Sequence, residues 1–147
     1  MLQTDYRELG IALSRITLGV VLIAHSVYLK AVVFTLPGTA AFFDSIGLPA
    51  LLAYVVFAVE TIAGIALILG WQSRLAALAV LPILVGATWS HWPAGWLFTN
   101  EGGGWEYPAV LALMAAVQAL LGDGAYALAR RRAAVVDRDE HATSAVA

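Results

Sequence analysis

Four apolar runs, separated by short polar breaks, make up most of this chain. Each is close to the ~20 residues that cross a ~30 Å hydrocarbon layer. The pattern predicts spanning helices over 9–29, 49–70, 74–91 and 106–121. Arg15 and His25 fall inside the first run, Lys30 at its far end, and Glu60 near the middle of the second. Pro82, inside the third, cannot donate to the helix ladder and predicts a kink. The fourth stops at Gly122-Asp123-Gly124, a strong helix-end signal. The connection 31–48 is long and still apolar. It predicts a turn at Pro37-Gly38, a short amphipathic helix over 39–46 that caps one mouth of the bundle or lies in the interface, and a turn at Gly47-Leu48-Pro49. Gly70-Trp71-Gln72-Ser73 is tight, so the second and third runs are expected as antiparallel neighbours. One membrane domain over 1–128 and a charged, mobile tail over 129–147 follow.

Composition sharpens this into an environment. The chain is 61% hydrophobic and 12% charged, against roughly 45–50% and about 25% for soluble domains. The fold class expected is therefore all-α, an integral membrane four-helix bundle. There is no cysteine, which excludes disulfides, thiolate nucleophiles and iron–sulfur clusters held by this chain. The first eight residues lack the basic lead and cleavage site of a signal peptide, so the first span is expected to be retained. An N-in, C-in layout places Arg7, Arg74, Arg130, Arg131, Arg132 and Arg138 on the cytoplasmic side and only Lys30 outside. With six of the eight basic residues so explained, no nucleic-acid pattern remains. The stretch 89–108, with four of the five tryptophans, then faces outward, where indoles suit the headgroup layer. A short echo, Ser14-Arg15-Ile16 with Val21-Leu22 against Ser73-Arg74-Leu75 with Val80-Leu81, suggests a helical pair repeated in parallel. It leaves Arg15 as either a buried charge or an interfacial anchor.

Charges at membrane depth carry the candidate chemistry, since each costs at least ~2.5–3.5 kcal/mol to insert. Arg15 and Glu60 are close enough in depth for a structural ion pair between the first two spans. Alternatively, Glu60 carries a proton or binds a ligand. Gly64, four residues on, permits close helix approach in either case. His25, His91, Glu106 and Lys30 reach similar depth near the outer end. Together they could line one outward pocket under Trp89, Trp92, Trp96 and Trp105, where imidazole can hydrogen-bond a quinone or move its proton. The competing reading makes them interfacial or capping groups, Glu106 complementing the dipole of the fourth helix. The ligand-binding set is thus His25, Lys30, Glu60, His91, Trp105 and Glu106. No tight His-x-x-x-His spacing is present, so no metal site is assigned. Gly102-Gly103-Gly104 permits a turn with positive φ but lacks the lysine of a phosphate loop.

These residues resemble the DoxX family of small four-helix bacterial membrane proteins over about 14–126. The likeness rests on Arg15, Leu18 and Gly19, His25 and Lys30, Phe42-Phe43 with Gly47-Leu48-Pro49, and Glu60 with Gly64 and Leu69-Gly70. It continues through Arg74 with Ala76-Ala77-Leu78, His91, and Gly103-Gly104-Trp105-Glu106-Tyr107. One departure is visible. Many members read His-Gly-x-x-Lys, whereas His25-Ser26-Val27-Tyr28-Leu29-Lys30 is one residue longer and lacks the glycine. The resemblance implies a four-helix bundle in a bacterial membrane with ties to redox metabolism; together with the charge bias it leads to an expected cytoplasmic-membrane location with both termini cytoplasmic. The expected function is a quinone-binding membrane subunit of a redox system, an oxidoreductase subunit rather than a complete enzyme. It would work with a soluble or membrane oxidoreductase partner, and homo-oligomers remain open. The chain has no flavin, haem or iron–sulfur motif of its own. The alternatives are a non-catalytic anchor for partner enzymes and a small-molecule or proton transporter.

Overall fold

A computed structural model describes residues 6–128. Residues 1–5 and 129–147 lie outside the described residues, and with them the predicted tail and its Arg130-Arg131-Arg132 run. The described chain is helical and contains no strand. Helix α1 (Tyr6–Ile23) continues as a widened π segment (Ala24–Val33). Then come α2 (Leu36–Ser45), α3 (Ala50–Leu69), α4 (Ser73–Ser90), a 3₁₀ turn (Trp92–Ala94) and α5 (Glu106–Leu121). Three stretches are long and apolar enough to cross a membrane: Tyr6–Val33, Ala50–Leu69 and Ser73–Ser90. Helix α5 is apolar but has 16 residues, about 24 Å at a rise of about 1.5 Å per residue.

Most boundaries follow local chemistry. Gly70 closes α3 in the left-handed conformation, φ 67°, and Gly122 follows α5 with φ 84°. Helix α4 continues through Pro82. The first span runs further than expected, past Lys30 to Val33, because its ladder loosens. The Phe34 N–H reaches the Leu29 carbonyl, five residues back, at 2.8 Å. Pro37-Gly38 corrects another expectation: it opens α2 rather than turning the chain. Proline in a first helical turn sacrifices no hydrogen bond. Thr35, held at φ 63°, caps the helix by accepting from the Gly38 N–H through Oγ1 at 3.2 Å.

Packing inverts the pattern of a water-soluble protein. Arg15 and Gln118 are 0% exposed and Glu60 is 4% exposed, while Leu51 and Leu120 are 72% and 78% exposed. Apolar side chains facing out and polar ones turned in fit a lipid surround. Helix α1 lies mainly on α3 and α4 mainly on α5, with α3 joining the pairs. The buried core is built from Leu18, Leu22, Leu67, Val80, Leu84 and Leu111, with alanines between them. The α1–α3 crossing is closest at Gly19 and Gly64. A Cβ on Gly19 would meet the Gly64 carbonyl at 2.8 Å, and one on Gly64 the Gly19 carbonyl at 3.1 Å. Small residues at such crossings let backbones pack directly.

Gly19→Val is therefore expected to destabilise the protein by about 1–3 kcal/mol through overpacking. Gly10→Ala, with nothing within 4 Å of the new methyl, should remain at or above wild type. Unfolding in detergent for both variants checks this.

Candidate functional site

Arg15 and Glu60, predicted to pair, do not. Arg15 turns to the far end of α3. Nη1 donates to the Leu67 carbonyl at 2.5 Å and the Ile68 carbonyl at 3.0 Å, and Nη2 to the Ala125 carbonyl at 3.1 Å. The last carbonyls of a helix lack partners in the ladder and form the negative end of its dipole. The planar fork of guanidinium donors meets these carbonyls, and the Glu60 carboxylate lies about 10 Å away along the helix. Arg15 is thus a buried charge, whereas Arg74, its counterpart in the suggested repeat, is exposed. The same end is tied further. The Ala125 N–H donates to the Glu8 carbonyl at 3.0 Å, the Ser73 N–H to Asp123 Oδ1 at 3.0 Å, and Gln118 Nε2 to the Gly122 carbonyl at 2.5 Å.

Glu60 instead pairs with Lys30, Nζ to Oε2. Lys30 arrives there on the widened segment. Residues five apart stack on a π turn much as residues four apart do on an α turn. The extra residue between His25 and Lys30 is thereby absorbed, and the two share a face. The pair is shielded, with side-chain exposures of 19% for Lys30 and 6% for Glu60. Thr39 of α2 buttresses it, donating through Oγ1 to the Thr35 carbonyl at 3.0 Å and the Lys30 carbonyl at 3.3 Å. One turn earlier, the His25 ring stacks on Tyr107 at the start of α5, with centroids 5.7 Å apart and planes at 26°. Its Nδ1 faces the Val21 carbonyl at 3.0 Å.

His91, Trp105 and Glu106 go into building the loop between α4 and α5. His91 Nδ1 lies 3.0 Å from the Gly102 carbonyl and 3.2 Å from that of Gly103. Both glycines have positive φ, 84° and 75°. Glu106 Oε1 accepts from the Phe98 N–H at 3.0 Å. Trp105 stacks on Trp92 at 4.6 Å and meets Trp96 edge-on at 4.4 Å; Trp89 is exposed on α4. Among the described residues no group of three His, Cys, Asp or Glu side chains could hold a metal. Tyr107, Thr39, Gln118 and Asp123 were missed as polar partners by sequence reasoning. Only Tyr107 carried a signal, its position beside Glu106 at a helix start, and nothing linear pairs it with His25.

A family model described as DoxX matches residues 10–92, just over half of the chain. A Bacillus subtilis (strain 168) protein named "Putative oxidoreductase CatD" is 34% identical over 80 residues, covering 54% of this chain and 58% of that relative. The chain thus aligns with less than two thirds of the relative's length. No solved structure matches.

Breaking the ion pair from one side should cost far more than removing it. Glu60→Gln strands an ammonium in apolar surroundings and is expected to destabilise by about 3–5 kcal/mol. Lys30→Met with Glu60→Leu should recover most of that loss in the same detergent unfolding assay.

Proposed function

Because the chain belongs to the DoxX family, we propose that it is a multi-pass protein of the bacterial cytoplasmic membrane that binds a quinone as the membrane subunit of a redox system. In this reading α1 with its widened extension, α3, α4 and α5 all cross the bilayer as a four-helix bundle with both termini cytoplasmic. Helix α5 is short for the crossing, but modest bilayer thinning and the flanking tryptophans accommodate such a span. The packing of α1 on α3 and of α4 on α5 suits a helical pair repeated in parallel.

The observation that carries the quinone reading is the Lys30–Glu60 pair, in which the lysine comes from the same widened segment as His25 and the carboxylate from the middle of α3. Ionisable residues at membrane depth mark functional sites by default, and π turns are frequent at such sites. The site would be His25, Lys30 and Glu60, with His91, Trp105 and Glu106 shaping the loop beside it. A dry layer argues for binding rather than transport. On α1 the buried Leu18 and Leu22 fall between Arg15 and His25, and on α5 Leu111 and Ala115 fall between Glu106 and Gln118. Val80 and Leu84 occupy the same interval on α4. The outer polar tier is thus separated from the inner one by packed leucine, valine and alanine. The name of the Bacillus relative supports a redox association. With no cysteine and no cofactor motif in the sequence, electrons would be exchanged through a partner oxidoreductase.

Two measurements test this. The natural absence of cysteine makes the chain its own background for labelling. Glu101→Cys should react with an impermeant maleimide in intact cells, and Arg74→Cys only after permeabilisation; the reverse would invert the topology. The purified protein should bind about one quinone, and the Lys30→Met/Glu60→Leu variant should bind it at least about tenfold more weakly. Full retention in that variant would move the ligand elsewhere, and a wild type that binds none would leave the protein as an anchor.

A further inference from the structure

Both outer histidines are held in the same tautomer. His25 Nδ1 faces the Val21 carbonyl, and His91 Nδ1 faces those of Gly102 and Gly103. A carbonyl oxygen only accepts, so each Nδ1 must carry the hydrogen. In a neutral imidazole the other nitrogen, Nε2, is then a bare acceptor. Neither Nε2 has a hydrogen-bond partner among the described residues. Glu60 adds a second acceptor, since Lys30 engages Oε2 and leaves Oε1 without a partner among the described residues. Lys30, whose charge Glu60 balances, is a cationic donor on the same segment as His25, and the ring stacked on His25 carries the Tyr107 hydroxyl.

We propose that this site selects the reduced, hydroxyl-bearing form of its aromatic ligand, a quinol, over the oxidised quinone. The inference rests on the quinone reading above and says which redox form that site holds. A quinone carbonyl can only accept, so it satisfies Lys30 and leaves His25 Nε2 and Glu60 Oε1 unpaired. A quinol hydroxyl accepts from Lys30 and donates to His25 or Glu60 at the same time. Sites built to hydrogen-bond a hydroxyl reject analogues that lack it, because the buried polar groups are otherwise stranded. The flat His25–Tyr107 stack offers an aromatic ring a compatible neighbour.

Equilibrium dialysis of the full chain in lipid nanodiscs, at pH 8 and without oxygen, tests this with three probes. These are a short-chain benzoquinone, its two-electron-reduced quinol, and the quinol's dimethyl ether, which keeps the ring and oxygens but has no O–H. The quinol is expected to bind about tenfold more tightly than either of the others, and His25→Phe to lower that ratio toward one. A wild-type preference for quinol below about threefold, a preference for quinone, or an ether that binds as well as the quinol overturns the inference and leaves the quinone site standing. Failure of all three to bind removes the site itself. The wild-type comparison decides the matter even if His25→Phe does not fold.

Discussion

A polar group placed in a hydrocarbon layer has no water to turn to, so it must find its partner inside the protein. That constraint orders this molecule. Arg15, fully buried, finds the Leu67 and Ile68 carbonyls at the end of α3 and the Ala125 carbonyl just beyond α5. One side chain of α1 thereby ties together three parts of the chain that are distant in sequence. Asp123 does the same for the start of α4 through the Ser73 N–H. The end of the bundle where α3 gives way to α4 is closed by hydrogen bonds to backbone, which are insensitive to the identity of the residues supplying them.

Above this lock the helices pack through small side chains. Gly19 and Gly64 bring the backbones of α1 and α3 close, and alanines at 63, 66, 76, 77 and 115 fill the layer with little volume. Lipid is as apolar as leucine, so such contacts hold by close packing rather than by exclusion of water. The result is a dry partition between two polar ends.

On the other side of that partition the first helix changes form. A one-residue excess between His25 and Lys30 would swing Lys30 away from Glu60 on an ideal α-helix. The π segment takes up the excess and keeps the lysine against its carboxylate. The tryptophan loop is equally self-consistent. Its glycines take positive φ, their carbonyls receive His91, and Glu106 returns to the Phe98 N–H. His91, Trp105 and Glu106, which look in sequence like ligands, are therefore scaffolding of this loop. A side chain already engaged through one atom presents the other in a fixed direction, which is what the proposed hydroxyl selectivity requires.

The helices were legible in the residues alone. Apolar runs bounded by Gly70, Gly122 and tight polar turns placed α3, α4 and α5 within a residue of their observed ends, because hydrophobic length and glycine stops act locally. The polar positions that matter, Arg15, Glu60, His25 and Lys30, were equally visible as charges where charge is costly. Their partners were not. Depth along a helix can be counted from sequence, and by that count Arg15 could reach Glu60. Which way each side chain turns depends on which neighbour offers acceptors with room for another hydrogen bond, and on whether the helix is wound as α or as π. Those are properties of packed helices, so only the tertiary structure could give Glu60 to Lys30 and Arg15 to the end of α3.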